Sequence, residues 1–187
     1  MNSESSLSLL ESQIRDCFGR VVWTHKIQEK CSDILHRRNS NLKILQIILS
    51  ACTTSGILVS VFGDNYLIGI ISAIISAILL ALNTFIKNYD LGEMAQKHSD
   101  CASHLWNIRE KYLSLLTDIK SGAIEEREIR TQRDLLQKEL FNIYKGSPRS
   151  ISKAYDQAAE ALNARKEVTL KDDEINSYLP EELHKKG

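Results

Sequence analysis

Two apolar stretches, residues 42–62 and 66–86, lie almost end to end in this 187-residue chain, with only Gly63, Asp64 and Asn65 between them. Neither contains an acid, and the only base in either is Lys43, at the edge of the first. At 1.5 Å rise per residue, about 20 apolar residues cross a hydrocarbon layer roughly 30 Å thick, and each stretch is that long. The competing reading is a pair of core helices in a large soluble fold. The remaining sequence reads as amphipathic helix, which cannot enclose two rods that are apolar all round. Two membrane spans are therefore expected. Whole-chain averages conceal them: acids and bases balance at 24 each, and the mean hydropathy is −0.23. A signal peptide is not expected, because the first apolar run starts only at Leu42, behind a charged segment.

Gly63, Asp64 and Asn65 all favour turn conformations, so the spans are expected to run antiparallel. Arg37, Arg38 and Lys43 flank the entry and Lys87 the exit, whereas the short loop carries only Asp64. The positive-inside rule then places both termini in the cytoplasm, with these four bases as anchors to anionic headgroups. Cys17, Cys31, Cys52 and Cys101 are scattered, form no CxxC pair and would stay reduced there.

The pattern gives an all-α architecture in four parts. Residues 1–41 form N-terminal cytoplasmic helices: a short one to about residue 22, then a pattern of Ile27, Cys31, Ile34 and Leu35 that runs into the first span without Gly or Pro, so helix and span can be continuous. Residues 42–86 are the transmembrane hairpin, with spans 42–62 and 66–86 and a turn at 63–65. Residues 87–170 are a cytoplasmic helical region. Its first helix carries Leu91, Met94, Cys101, Leu105, Ile108, Tyr112, Leu115 and Ile119 at alternating threes and fours, with His98 in the remaining slot, which is a heptad seam. Such a seam packs either on the chain's own helices or between subunits. Ile129, Leu136, Leu140 and Ile143 mark a further helix, ended by Gly146, Ser147 and Pro148, and Ile151, Tyr155, Ala158 and Leu162 mark a last one. Residues 171–187 form a charged tail, expected to be mobile, with one turn at residues 179–182.

Both spans are two-sided. Lys43, Gln46, Ser50, Thr53 and Ser60 share an arc of about 100° on a helical wheel, interrupted by Ile57. Gly69, Ser72, Ala73, Ser76, Ala77 and Asn83 share one face of the second span. Small residues four apart, Gly69, Ala73, Ala77 and Ala81, let helix backbones approach, either within one hairpin or between subunits. Ser and Thr hydroxyls can bond back to their own helix, but the amides of Gln46 and Asn83 need a partner helix or a wet cavity. Two helices cannot enclose a lumen. A pore would need several hairpins in a ring, lined by Gln46, Ser50, Thr53, Ile57 and Ser60, with Gly69, Ala73, Ala77, Ala81 and Asn83 packing helices and Ile57 as a hydrophobic constriction.

No enzyme is expected. His98, Cys101 and His104 form an H-x2-C-x2-H run, yet a helix turns about 300° over three residues, so the histidines diverge and no metal or other cofactor is assigned. Phosphate loops, nucleophile elbows and HExxH pairs are absent from the sequence. Balanced charge without a basic stripe argues against a nucleic-acid partner.

The lead-in Val21, Val22, Trp23, Thr24, His25, Lys26 and Ile27, the hairpin with its short loop and the long helices after it resemble the bacterial SLATT family. These are two-transmembrane effectors associated with nucleotide-synthesising and nucleotide-sensing defence proteins, and the resemblance covers residues 23–162. It implies an inner-membrane homo-oligomer that forms a pore, or perturbs the membrane, when a linked sensor or nucleotide-signalling partner fires. The alternative is a membrane-anchored coiled-coil scaffold that recruits a partner protein.

Overall fold

The computed structural model describes residues 3–63, 65–169, 175 and 178, and all regular structure among them is helical. Helix α1, Ser3–Phe62, runs 60 residues without a break, about 90 Å at 1.5 Å per residue. The short N-terminal helix expected to residue 22 has no boundary of its own and merges into the first span. The reason is chemical: no proline precedes Pro148, and Gly19 and Gly56 stand alone in long helical context, where one glycine costs only about 1 kcal/mol.

Helix α2, Tyr66–Asn88, starts where the Asn65 side chain accepts the Ile68 N–H at 3.3 Å. The chain then breaks at Tyr89 and Asp90, and Asp90 caps α3, Leu91–Ser121, by accepting the Glu93 N–H at 2.8 Å. Helix α3 ends at Gly122, whose φ of 68° is left-handed and suits glycine. Helix α4, Glu126–Gly146, stops before Pro148, with Ser147 extended as a residue preceding proline should be. The short α5, Ser152–Ala159, passes into a π turn, Glu160–Ala164. The turn expected at residues 179–182 and the loop residue Asp64 lie outside the described residues, as does the tail from 170 onward apart from Ile175 and Tyr178.

The half of the molecule outside the hairpin is a bundle. Leu10, Ile14 and Val21 of α1 meet Leu105, Ile108, Tyr112 and Leu115 of α3, and Ile129 and Leu136 of α4 close the groove between them. Helix α4 runs parallel to α1 in strict register: Ser6 bonds Glu126, Arg133 donates to Gln13 and Tyr144 donates to Thr24, each pair 120 residues apart. Helix α5 rests on α1 at a second cluster of Ile27, Cys31, Ala154 and Ala158. The heptad seam of α3 is thus filled from within the chain between His98 and Ile119, while Met94, expected in it, is exposed.

One side of α1 is buried or half-buried along its length in two rows of seven-residue spacing. The first is Ile14, Val21, Gln28, Leu35, Leu42, Leu49 and Gly56. The second is Phe18, His25, Ser32, Asn39, Gln46, Thr53 and Ser60. A repeat of seven imposes a left-handed winding, so α1 keeps one continuous seam against α3 in the bundle and α2 in the hairpin. Other faces of the spans are bare: Ile44, Ile48, Leu58, Ile71, Ile74 and Ile78 are all exposed. The most apolar windows have mean hydropathies of 1.9 and 2.3, yet only 6% of each is buried. A core helix of a soluble protein would be mostly buried, whereas this much outward apolar surface needs lipid.

Candidate functional site: the hairpin and its polar seam

Helices α1 and α2 meet through their smallest residues. A Cβ built on Gly56 would strike Ser72 Oγ and sit 3.3 Å from Ser72 Cβ, and one built on Gly69 would come within 3.5 Å of Ser60 Cβ. Each contact pairs a glycine with a serine across the interface, which lets the backbones approach closely. Thr53, 8% exposed, and Ser72, 3% exposed, are the most buried residues of the two spans. Both hydroxyls bond back to their own helix, Thr53 to Leu49 O at 2.9 Å and Ser72 to Ile68 O at 2.8 Å. Their polarity is therefore satisfied locally and holds the hairpin by shape.

The expected polar arc of α1 divides between two environments. Gln46, Thr53 and Ser60 lie in the seam toward α2, while Ser50 and Ile57, 49% exposed, stand one step round the helix at the open edge. Continuing the Gly56–Ser72 register places Gln46 level with Leu82, and the Gln46 amide makes no hydrogen bond among the described residues. On α2 only Gly69 of the small-residue ladder meets α1. Ala73, Ala77, Ala81 and Asn83 are exposed. Arg37, Arg38, Lys43 and Lys87 are exposed too, and the same register sets Lys87 level with Asn41, so the four cations form a belt at one end of the hairpin.

The second row of the seam stays polar beyond that belt. Asn39 packs on Gly92, where a Cβ would meet its Nδ2 at 3.0 Å. Ser32 Oγ donates to Ala95 O at 2.9 Å. One turn on, His98, fully buried, donates from Nδ1 to Gln28 Oε1 at 2.5 Å. Its Nε2 is left buried without a partner, which suits a neutral ring, and burial holds the imidazole below its ordinary range. His25 is shifted the same way, first by burial, with Arg109 and Lys26 adding to the shift and Glu29 opposing it. His25 and Glu29 line a cavity of about 510 Å³ between α1 and α3, with Trp106 on its far wall. Cys101 points instead to Ser147 beyond α4, and His104 is exposed, so the H-x2-C-x2-H run serves three environments. No group of three or more metal-binding side chains occurs among the described residues.

Gly56 and Gln28 were not singled out from the sequence, and His25 was read only as part of the lead-in, not as a member of a buried row. Carrying the seven-residue spacing upstream and downstream from Gln46 would have found the row that contains His25.

The family model of the SMODS and SLOG-associating 2TM effector domain family 4 matches residues 10–174. The chain belongs to that family. No curated protein and no solved structure matches it. The match spans the helical bundle from residue 10 as well as the hairpin, so the effector domain includes both. This two-transmembrane effector domain is a membrane protein in which Gln46, Thr53, Ser60 and Ser72 face the seam of its own hairpin, while Ser50 and Asn83 do not.

Proposed function

We propose that this effector domain is a triggered pore former. It sits in a bacterial inner membrane with both termini cytoplasmic, assembles as a homo-oligomer, and acts in antiviral defence when a sensor or nucleotide-signalling partner engages its bundle. One observation carries the reading: Thr53 is buried and Gln46 and Ser60 are half-buried against α2, while Ile44, Ile48, Leu58, Ile71, Ile74 and Ile78 face outward. A simple anchor has no use for such a row, whereas a closed pore subunit must hide it. The exposed Ala73, Ala77 and Ala81 offer a neighbouring subunit a close approach. Rearrangement in a ring would bring Gln46, Ser50, Thr53 and Ser60 to a lumen, with Ile57 as the apolar constriction.

The chain is no enzyme in this reading and needs neither cofactor nor nucleic acid. The scaffold alternative loses its main support, because the α3 seam that would recruit a partner is already occupied by α1 and α4.

The test compares two substitutions in liposomes and in cells. Ile57→Ser should ease wetting of the constriction and give leakage and depolarisation without a trigger. Ile74→Ser, on the outward face of α2, should be silent because its hydroxyl can bond back to its helix. Equal leakage from both would indicate general loosening of the hairpin and count against the pore.

A further inference from the structure

The segment after α4 is held on α1 differently from every other part of the bundle. Helix α5 has only 8 residues, too few to be stable alone, and it meets α1 through Ala154 and Ala158, with Ala161 of the π turn also buried. Alanines permit a close approach but bury little apolar area, in contrast to the Ile129 and Leu136 that fasten α4. Beyond the π turn, Lys166 has a φ of 51°, the one non-glycine residue at positive φ among the described residues, a conformation that persists only where surroundings impose it. The Glu167 N–H closes that turn onto Ala161 O at 3.1 Å, and charge holds the segment on α1. Glu167 bridges Lys26 at 3.2 Å and Lys30 at 3.7 Å, and Arg165 ties Glu160 to Glu167 at 2.7 and 3.6 Å. Tyr155 meets Trp23 edge-on, with centroids 5.3 Å apart. Beneath lies Cys31, fully buried, its sulfur accepting the Ile151 N–H at 3.3 Å.

We infer that α5 and the π turn form a releasable strap, latched by Glu167 on Lys26 and Lys30, which covers Trp23, Ile27 and Cys31 of α1 while the effector is at rest. A short helix, small contacts, a strained residue and screenable ion pairs make it the element of lowest local stability in the bundle. It opens without disturbing the α1–α3–α4 core, whose cluster is separate from the one under the strap. Because α1 continues unbroken into the membrane, release changes the load on the same helix that carries the polar seam. Only this last consequence rests on the pore reading.

Cys31 reports the strap directly. In the full-length protein in nanodiscs, with Cys17→Ser, Cys52→Ser and Cys101→Ala, the rate of maleimide labelling measures how often Cys31 is uncovered. Glu167→Lys should raise that rate three- to tenfold, high salt should raise it in the parent, and adding Lys30→Glu to Glu167→Lys should restore slow labelling. Cys101, kept as the sole thiol in a parallel background, lies outside the strap and should not change. A Cys31 rate within twofold of the parent in Glu167→Lys, or an equal rise at Cys101, overturns the strap. Fast Cys31 labelling without leakage in Glu167→Lys supports the strap and counts against the pore reading instead.

Discussion

The Gly56–Ser72 contact allows the hairpin to be tested by a double-mutant cycle. Gly56→Ala places a Cβ on Ser72 Oγ, and the serine can turn aside only by giving up its 2.8 Å bond to Ile68 O. Overpacking of this kind costs about 1–3 kcal/mol, and a lost hydrogen bond adds about 1 kcal/mol. Replacing a helical glycine returns about 1 kcal/mol. The single change should therefore destabilise the hairpin by about 1–3 kcal/mol. Ser72→Ala alone should be nearly neutral, because its hydroxyl serves only its own helix and alanine is the better helix former. Combining them removes the Oγ and leaves a Cβ–Cβ contact of 3.3 Å, which a shift of a few tenths of an ångström relieves. The expected coupling is about 1–3 kcal/mol in favour of the double variant, outside the additivity of independent sites. Hairpin stability is measured by steric trapping in bicelles, and separation by the distance between spin labels at the exposed, level positions Ile48 and Leu80. Strict additivity, or a Gly56→Ala hairpin as stable as the parent, would refute close packing at this point.

Three further outcomes are expected. Burial lowers the His98 pKa, so the unfolded chain binds more protons between the folded value and about 6.5; stability is full above that window and falls as pH drops through it. The thermal midpoint of the bundle should thus fall between about pH 7.5 and pH 5.5, and His98→Asn should flatten the slope without abolishing it, since His25 is shifted likewise. Ala73→Leu with Ala77→Leu should leave the hairpin folded and inserted but reduce cross-linking between subunits, because both residues are exposed and away from α1. A cysteine at position 64 should react with an impermeant thiol reagent from outside intact cells, while reporters fused at either terminus stay cytoplasmic; opposite locations for the termini would remove the hairpin topology.

The all-α class and the paired spans were legible because length and apolarity alone set them. The α3 seam was legible because its residues are apolar at heptad spacing. The continuity of α1 from Trp23 into the first span was legible because no Gly or Pro precedes the span there, whereas the seam along it was harder to see, since its second row turns polar at His25, Ser32 and Asn39 and drops out of any apolar periodicity. A helical wheel groups Ser50 and Ile57 with Gln46, Thr53 and Ser60, but which edge of that arc is covered depends on how α2 leans. The same holds for the ladder on α2, where Gly69 packs on Ser60 and the three alanines do not face α1. The meeting of Tyr155 with Trp23 and of Glu167 with Lys26 and Lys30 joins residues distant in sequence, which local pattern does not reveal.

Two rails connect the bundle to the hairpin, and they are not alike. Helix α1 passes from one to the other without a joint, whereas the return path is interrupted at Tyr89 and Asp90, where α2 stops and α3 begins anew. A twist or tilt applied to α1 at Trp23 travels toward Ser60 along one unbroken helix. The same motion reaching α2 is absorbed at its joint, so α2 swings or lags behind. The pair behaves as a crank against a hinged follower, and its softest movement is a relative rotation of the two spans about their glycine–serine contacts.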